Sequence, residues 1–141
     1  MRKTLKVLVA TSLIMVFTAT AALAGSPHFV GTPVVTRDGN ALTVTGKVAG
    51  LGSETQIHVE LSATAECINP GQNHPKAANK ADVAAGGDFP VQNGKANFSL
   101  TGTATFQPDC TPPMTVRFTD VTLTVSGDSF ATFSQSFPGT F

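Results

Sequence analysis

The side chains able to do chemistry are two cysteines, Cys67 and Cys110, three histidines, His28, His58 and His74, and nine carboxylates. Cys110-Thr111-Pro112-Pro113-Met114 offers a thiol and a thioether, two of the ligands of a blue-copper loop. That site also needs a histidine beside them, and no histidine follows His74. An amino-terminal copper clamp at Gly25-Ser26-Pro27-His28 fails because Pro27 lacks the backbone N–H that would have to deprotonate. The three histidines share no ligand spacing, and neither Gly-x-Ser-x-Gly nor His-Glu-x-x-His occurs. A Ser–His–Asp set can still assemble in space, since triads are defined by geometry. No motif points to one, so the chain reads as a non-enzyme without cofactor or resident metal. The carboxylates Asp82, Asp88, Glu60 and Glu66 read as solvated charges.

The cysteines gain meaning from the first 24 residues. Arg2, Lys3 and Lys6 precede an apolar run from Val7 to Phe17, and Ala22-Leu23-Ala24 places small residues where a signal peptidase cuts. Thr11, Ser12, Thr18 and Thr20 interrupt the run, whereas a spanning helix needs about 20 apolar residues. Residues 1–24 are therefore expected to be a cleaved export signal, leaving 25–141 as one domain in the periplasm or outside the cell. In that setting two cysteines make one disulfide, Cys67–Cys110. The chain-entropy model assigns a loop of this length about 4 kcal/mol. After the signal six bases face nine acids, a net charge of −3 with no basic cluster, which excludes nucleic-acid binding.

The elements that would position these residues are strands. Leu42, Val44 and Val48 alternate with polar residues, with Gly46 in the inward phase, and Ile57 to Cys67 alternate with His58 to Glu66. Ala96-Phe98-Leu100 and Met114-Val116-Phe118 continue the pattern. Val121-Leu123-Val125 is in the opposite phase, so Thr119-Asp120 should hold a bulge or a crossover. Asp38-Gly39-Asn40, Asn93-Gly94 and Ser126-Gly127-Asp128 read as turns, Asn93-Gly94 as a two-residue hairpin between Phe89-Pro90-Val91 and Ala96-Asn97-Phe98. Phe133 and Phe137 mark a last strand. About seven strands at this spacing predict an all-β, antiparallel, immunoglobulin-like sandwich with one disulfide. With no Trp or Tyr to stack on sugars, the nine phenylalanines after residue 24 are expected to fill the core.

Residues 68–87 show no strand alternation, and only Ala77–Ala85 has helix-compatible composition. Asn69, Gln72, Asn73, His74, Lys76, Asn79, Lys80 and Asp82 make this stretch a polar loop tied down by the bridge, with Gln107–Pro113 beside it. Loops of such length are uncommon in a compact domain and are often functional or disordered. Cys67-Ile68-Asn69-Pro70-Gly71-Gln72-Asn73 and Thr119-Asp120-Val121 resemble a group of small exported bacterial proteins with no assigned function. The resemblance spans Leu42 to Val125, with Met114 where the group carries a Trp. It implies an exported β-sandwich and no catalytic residue. The expected role is that of a monomer binding a protein or envelope component through this loop. The alternative is weak metal binding by His74 with Asp82 or His28.

Overall fold

The computed structural model describes residues 25–71 and 79–141. Residues 1–24, read as an export signal, lie outside the described residues, as do Gln72, Asn73, His74 and Lys76 of the expected binding loop. The chain folds as two antiparallel sheets packed face to face. Eight strands form: β1 (His28–Phe29), β2 (Val34–Asp38), β3 (Ala41–Ala49), β4 (Gln56–Ile68), β5 (Lys80–Pro90), β6 (Ala96–Thr103), β7 (Thr115–Ser126) and β8 (Phe133–Phe137). The first sheet has β3 at its centre, with β6 on one edge and β1 and β2 sharing the other. The second runs β5-β4-β7-β8. The count exceeds the expected seven because the first extended segment breaks between Phe29 and Val34, where Gly31 takes φ 69°.

Alternation gives the core directly. Leu42, Val44 and Val48 from β3 meet Val59, Leu61 and Ala65 from β4 and Phe118, Leu123 and Val125 from β7, all buried. Gly46 holds the inward slot between Val44 and Val48 for a steric reason. A Cβ there would lie 2.6 Å from Cζ of Phe98 and 3.2 Å from Cβ of Pro33. At the end of the sandwich away from the disulfide, rings from both sheets pack edge to face, with Phe29–Phe98 centroids at 6.1 Å and Phe29–Phe133 at 5.3 Å. Phe98, Phe106, Phe118 and Phe137 are buried and the other five phenylalanines of the described residues pack against the core.

The phase change in β7 is a bulge. Ser62 pairs with Thr122 but Thr64 pairs with Thr119, so β7 carries one extra residue. Asp120 absorbs it with φ 53°, a left-handed conformation that Asp tolerates better than most residues. The device lets Val116 and Phe118 point inward before it, and Val121, Leu123 and Val125 after it.

Three expectations need correction. The irregular segment is shorter than 68–87: β4 continues to Ile68 and β5 begins at Lys80, so Ala81–Ala85, helix-compatible in composition alone, belongs to a strand. Ala- and Gly-rich β5 has little strand propensity of its own and forms by pairing along β4 from Glu66/Lys80 to Gln56/Pro90. Asn93-Gly94 does make a tight turn, with φ 52° and 70° and reciprocal Gln92–Lys95 bonds of 2.8 and 3.0 Å. It does not lead into a longer hairpin, because β5 pairs with β4 in one sheet and β6 with β3 in the other. The third correction is Glu66, placed on the solvated face by alternation and in fact 6% exposed.

Gly46→Ala should cost roughly 1–3 kcal/mol, the range for overpacking a core, by urea unfolding. Adding Phe98→Leu should recover part of the loss, since the clash is with that ring.

Candidate functional site

The disulfide pole collects the β2–β3 turn, the end of β4 beside the start of β5, and residues 104–114. Cys67 is buried near the end of β4, opposite Val116 of β7, and bonds Cys110 with their Cα atoms 5.7 Å apart. The bridge thus ties a strand end to a loop at one pole without crossing the core. Met114 Sδ lies 3.7 Å from Cys67 Sγ, a sulfur–sulfur contact because the oxidised cysteine has no proton to donate.

A cleft of about 620 Å³ opens beside the bridge, with Arg37, Asn40, Thr105, Phe106, Asp109 and Met114 among its walls. Its frame is hydrogen-bonded. Ala104 N–H donates to Asn40 O at 2.8 Å and Asn40 Nδ2 to Ala104 O at 3.0 Å, fixing the β2–β3 turn to the 104–114 connection. Arg37 lies opposite inward-facing Leu42 and reaches to the second sheet, donating from Nη1 to Val116 O at 2.6 Å. One such bond leaves further N–H groups of the guanidinium fork for a ligand. The cleft therefore offers a cation, a carboxylate and a carboxamide around an apolar wall, a mixture suited to holding a small polar ligand.

The structure distributes the expected site residues unevenly. Asn69 and Asn79 flank the undescribed stretch and are half-buried. Lys80 and Asp82 belong to β5, on the outer face of the second sheet. Lys80 Nζ lies 3.3 Å from Glu66 Oε1 and Arg117 Nε donates to Glu66 Oε2 at 2.6 Å, so adjacent β5, β4 and β7 carry a cation–anion–cation row. The two long cationic side chains cover Glu66, which is why alternation missed its burial. Burial pushes the Glu66 carboxyl up, but the hydrogen bonds and charges of Arg117 and Lys80 outweigh this and hold it below its ordinary value. Asp109 falls in the Gln107–Pro113 stretch expected beside the loop, whereas Arg37, Asn40 and Thr105 were not singled out as site residues by sequence; the available signal was an arginine in the inward phase of β2.

A second polar group lies near the other pole. Asp88, His58 and Ser126 follow one another across β5, β4 and β7. His58 Nδ1 donates to Asp88 Oδ1 at 2.6 Å, the relation found in a catalytic triad. The ring is turned over Gly86, and Nε2 points to Glu60 Oε1 at 3.6 Å rather than to Ser126. The arrangement is an ion pair, not an activated serine. The Asp88 hydrogen bond raises His58 above its ordinary value against partial desolvation, and the charges of Asp88 and Glu60 add to it. His74, which the metal reading joins to Asp82 or His28, lies outside the described residues; His28 pairs with Ala49 at the pole remote from the disulfide and Asp82 with Thr64 in the other sheet. Among the described residues no three His, Cys, Asp or Glu side chains gather to hold a metal, and no helix is long and apolar enough to cross a membrane.

These features define a two-sheet, all-β protein with one disulfide at the pole that carries a cleft of about 620 Å³. No protein-family model, curated protein or solved structure matches the chain.

Two titrations follow. His58 binds its proton more tightly when folded, so its contribution to stability is complete below the unfolded value of about 6.5 and is lost as pH rises through the folded one. NMR titration of Asp88→Asn should show the His58 midpoint falling toward 6.5. Glu66 has the opposite sign: its contribution is present above the unfolded value of about 4.5 and is lost as pH falls through the folded one. Glu66→Gln should cost roughly 1–3 kcal/mol at pH 7 and progressively less on acidification, by chemical denaturation.

Proposed function

We propose that this protein is an exported, non-enzymatic binding module that engages a protein or envelope component at its disulfide pole. The observation that carries the reading is the 620 Å³ cleft beside Cys110, whose walls come from the end of β2 with its turn, the 104–114 connection and the start of β7, held by Arg37, Asn40 and the bridge. Loops presented by a rigid sandwich are a common place for recognition. A disulfide fits an oxidising compartment, which agrees with the export signal read in residues 1–24. Binding rather than catalysis is supported by the turning of His58 away from Ser126.

The resemblance to small exported bacterial proteins with an immunoglobulin-like sandwich belongs to the same proposal. Its support is the strand order, in which β3 pairs β6 in one sheet while β4 and β7 form the centre of the other. The bridge departs from the antibody pattern, since it joins a strand end to a loop at one pole.

Expressed from its full coding sequence in a bacterium, the protein should be recovered outside the cytoplasm with Gly25 as its first residue, by fractionation and intact mass. A full-length cytoplasmic product would refute export. In an NMR screen of small polar fragments, shifts should cluster on Arg37, Asn40, Thr105 and Asp109 and vanish in Arg37→Ala. Hits elsewhere, or none, would refute the binding pole.

A further inference from the structure

All nine acids of the chain lie among the described residues, and their distribution between the two outer faces is unequal. The second sheet presents Glu60, Glu66, Asp82 and Asp88 outward. The first sheet presents Asp38 alone, at the disulfide end. Its other end carries Lys47 on β3 and Lys95 immediately before β6. Among the described residues neither lysine forms an ion pair, whereas Lys80 and Arg117 are both engaged by Glu66. Two cations without a counter-charge thus meet on one face of a protein whose net charge after residue 24 is negative.

They meet in a cleft of about 470 Å³ lined by Lys47, Pro90, Gln92, Asn93, Lys95 and Asn97. Two ammonium groups and three carboxamides surround it, with no carboxylate. The cleft is framed by backbone. The Asn93-Gly94 turn is closed by the Gln92–Lys95 bonds, Leu51 N–H donates to Gly94 O at 3.0 Å, and Val91 N–H donates to Thr55 O at 2.9 Å. Lys47 stands opposite Asn97 in register. Beyond this pair the same face continues as hydroxyls: Thr45 opposite Ser99, then Thr43 opposite Thr101 with their oxygens 2.8 Å apart. From Lys95 to Thr101 the strip is about 20 Å long at the rise of a strand.

We infer that this strip is a second binding site, for an anionic glycan: a chain of sugar or polyol units bearing carboxylates or linked through phosphates. Lys47 and Lys95 take the anionic groups, and the carboxamides and hydroxyls of Gln92, Asn93, Asn97, Thr45 and Ser99 pair with the hydroxyls of the units between. Without Trp or Tyr to stack on rings, charge carries the affinity, so binding weakens as salt shortens the screening length. The acidic opposite face disfavours wrapping by a polyanion and orients the molecule on a negatively charged polymer. The site is independent of the cleft at the disulfide pole.

The test is calorimetry on the protein with a galacturonate hexamer, a glycerol-phosphate oligomer and a neutral galactan hexamer, at 20 and 300 mM salt. One or both anionic oligomers should bind at low salt, which of them identifying the charge recognised, and the neutral one should not. Lys47→Gln and Lys95→Gln should each weaken binding roughly fivefold, the worth of one close charge pair in water. Lys47→Arg should retain it, and Arg37→Ala, which removes the side chain of the other cleft, should leave it unchanged. Thermal melting checks that each variant folds. The inference is overturned by binding of neither anionic oligomer at millimolar concentration, or by equal binding of the neutral one. Undiminished affinity in the Lys47/Lys95 double variant, loss in Arg37→Ala, or tighter binding of duplex DNA would each overturn it as well.

Discussion

The pairing of β4 with β7 is the constraint on which the rest of the molecule depends. These are the two longest strands, and they form the centre of the second sheet. Their inner faces must both be apolar along the whole ladder, yet the hydrophobic phase of β7 changes at Thr119-Asp120. The bulge at Asp120 reconciles the two, letting one strand serve the core on both sides of the interruption. The same register sets Arg117 beside Glu66 and Val116 beside Cys67. It therefore places both the buried ion row and the disulfide, and through Val116 O it fixes the anchor of Arg37. A slip of one residue would invert every one of these relations.

Around that ladder the polar chemistry is sorted by face and by pole. The second sheet spends its cations on its own acids, in the Lys80–Glu66–Arg117 row and the His58–Asp88–Glu60 group. The outer face of the first sheet carries hydroxyls, carboxamides, exposed Val34, Asp38 at the disulfide end, and two lysines that form no ion pair among the described residues. Each pole is stitched across the sheets by different means. A covalent bond and the Arg37 side chain act at one. At the other, phenylalanine rings pack together and Ser129 N–H and Oγ–H both donate to Glu54 Oε1 at 2.5 Å. The outcome is a scaffold with two concave polar regions, one at the disulfide pole and one at the remote end of the first sheet, that share no residue.

The all-β class, most strand positions, the tight turns, the bulge and the single disulfide were legible in the sequence, because each follows from local facts. A two-residue period, a Gly or Asn at a positive φ, and the pairing of the only two cysteines need no knowledge of distant partners. What tertiary structure alone decided depends on which strands lie side by side. Strand β5 looked like loop because Lys80–Gly87 is poor in β-branched residues, and it exists because β4 offers it a long ladder. Glu66 looked solvated because alternation records only which face a residue occupies; two cations from neighbouring strands cover it there. Asp109 comes from a different connection than Arg37 and Asn40, and Lys95 precedes β6 whereas Lys47 lies on β3, so no spacing in the chain could have joined them. Periodicity is written along one strand, whereas a site is written across several, and only the register between them brings its parts together.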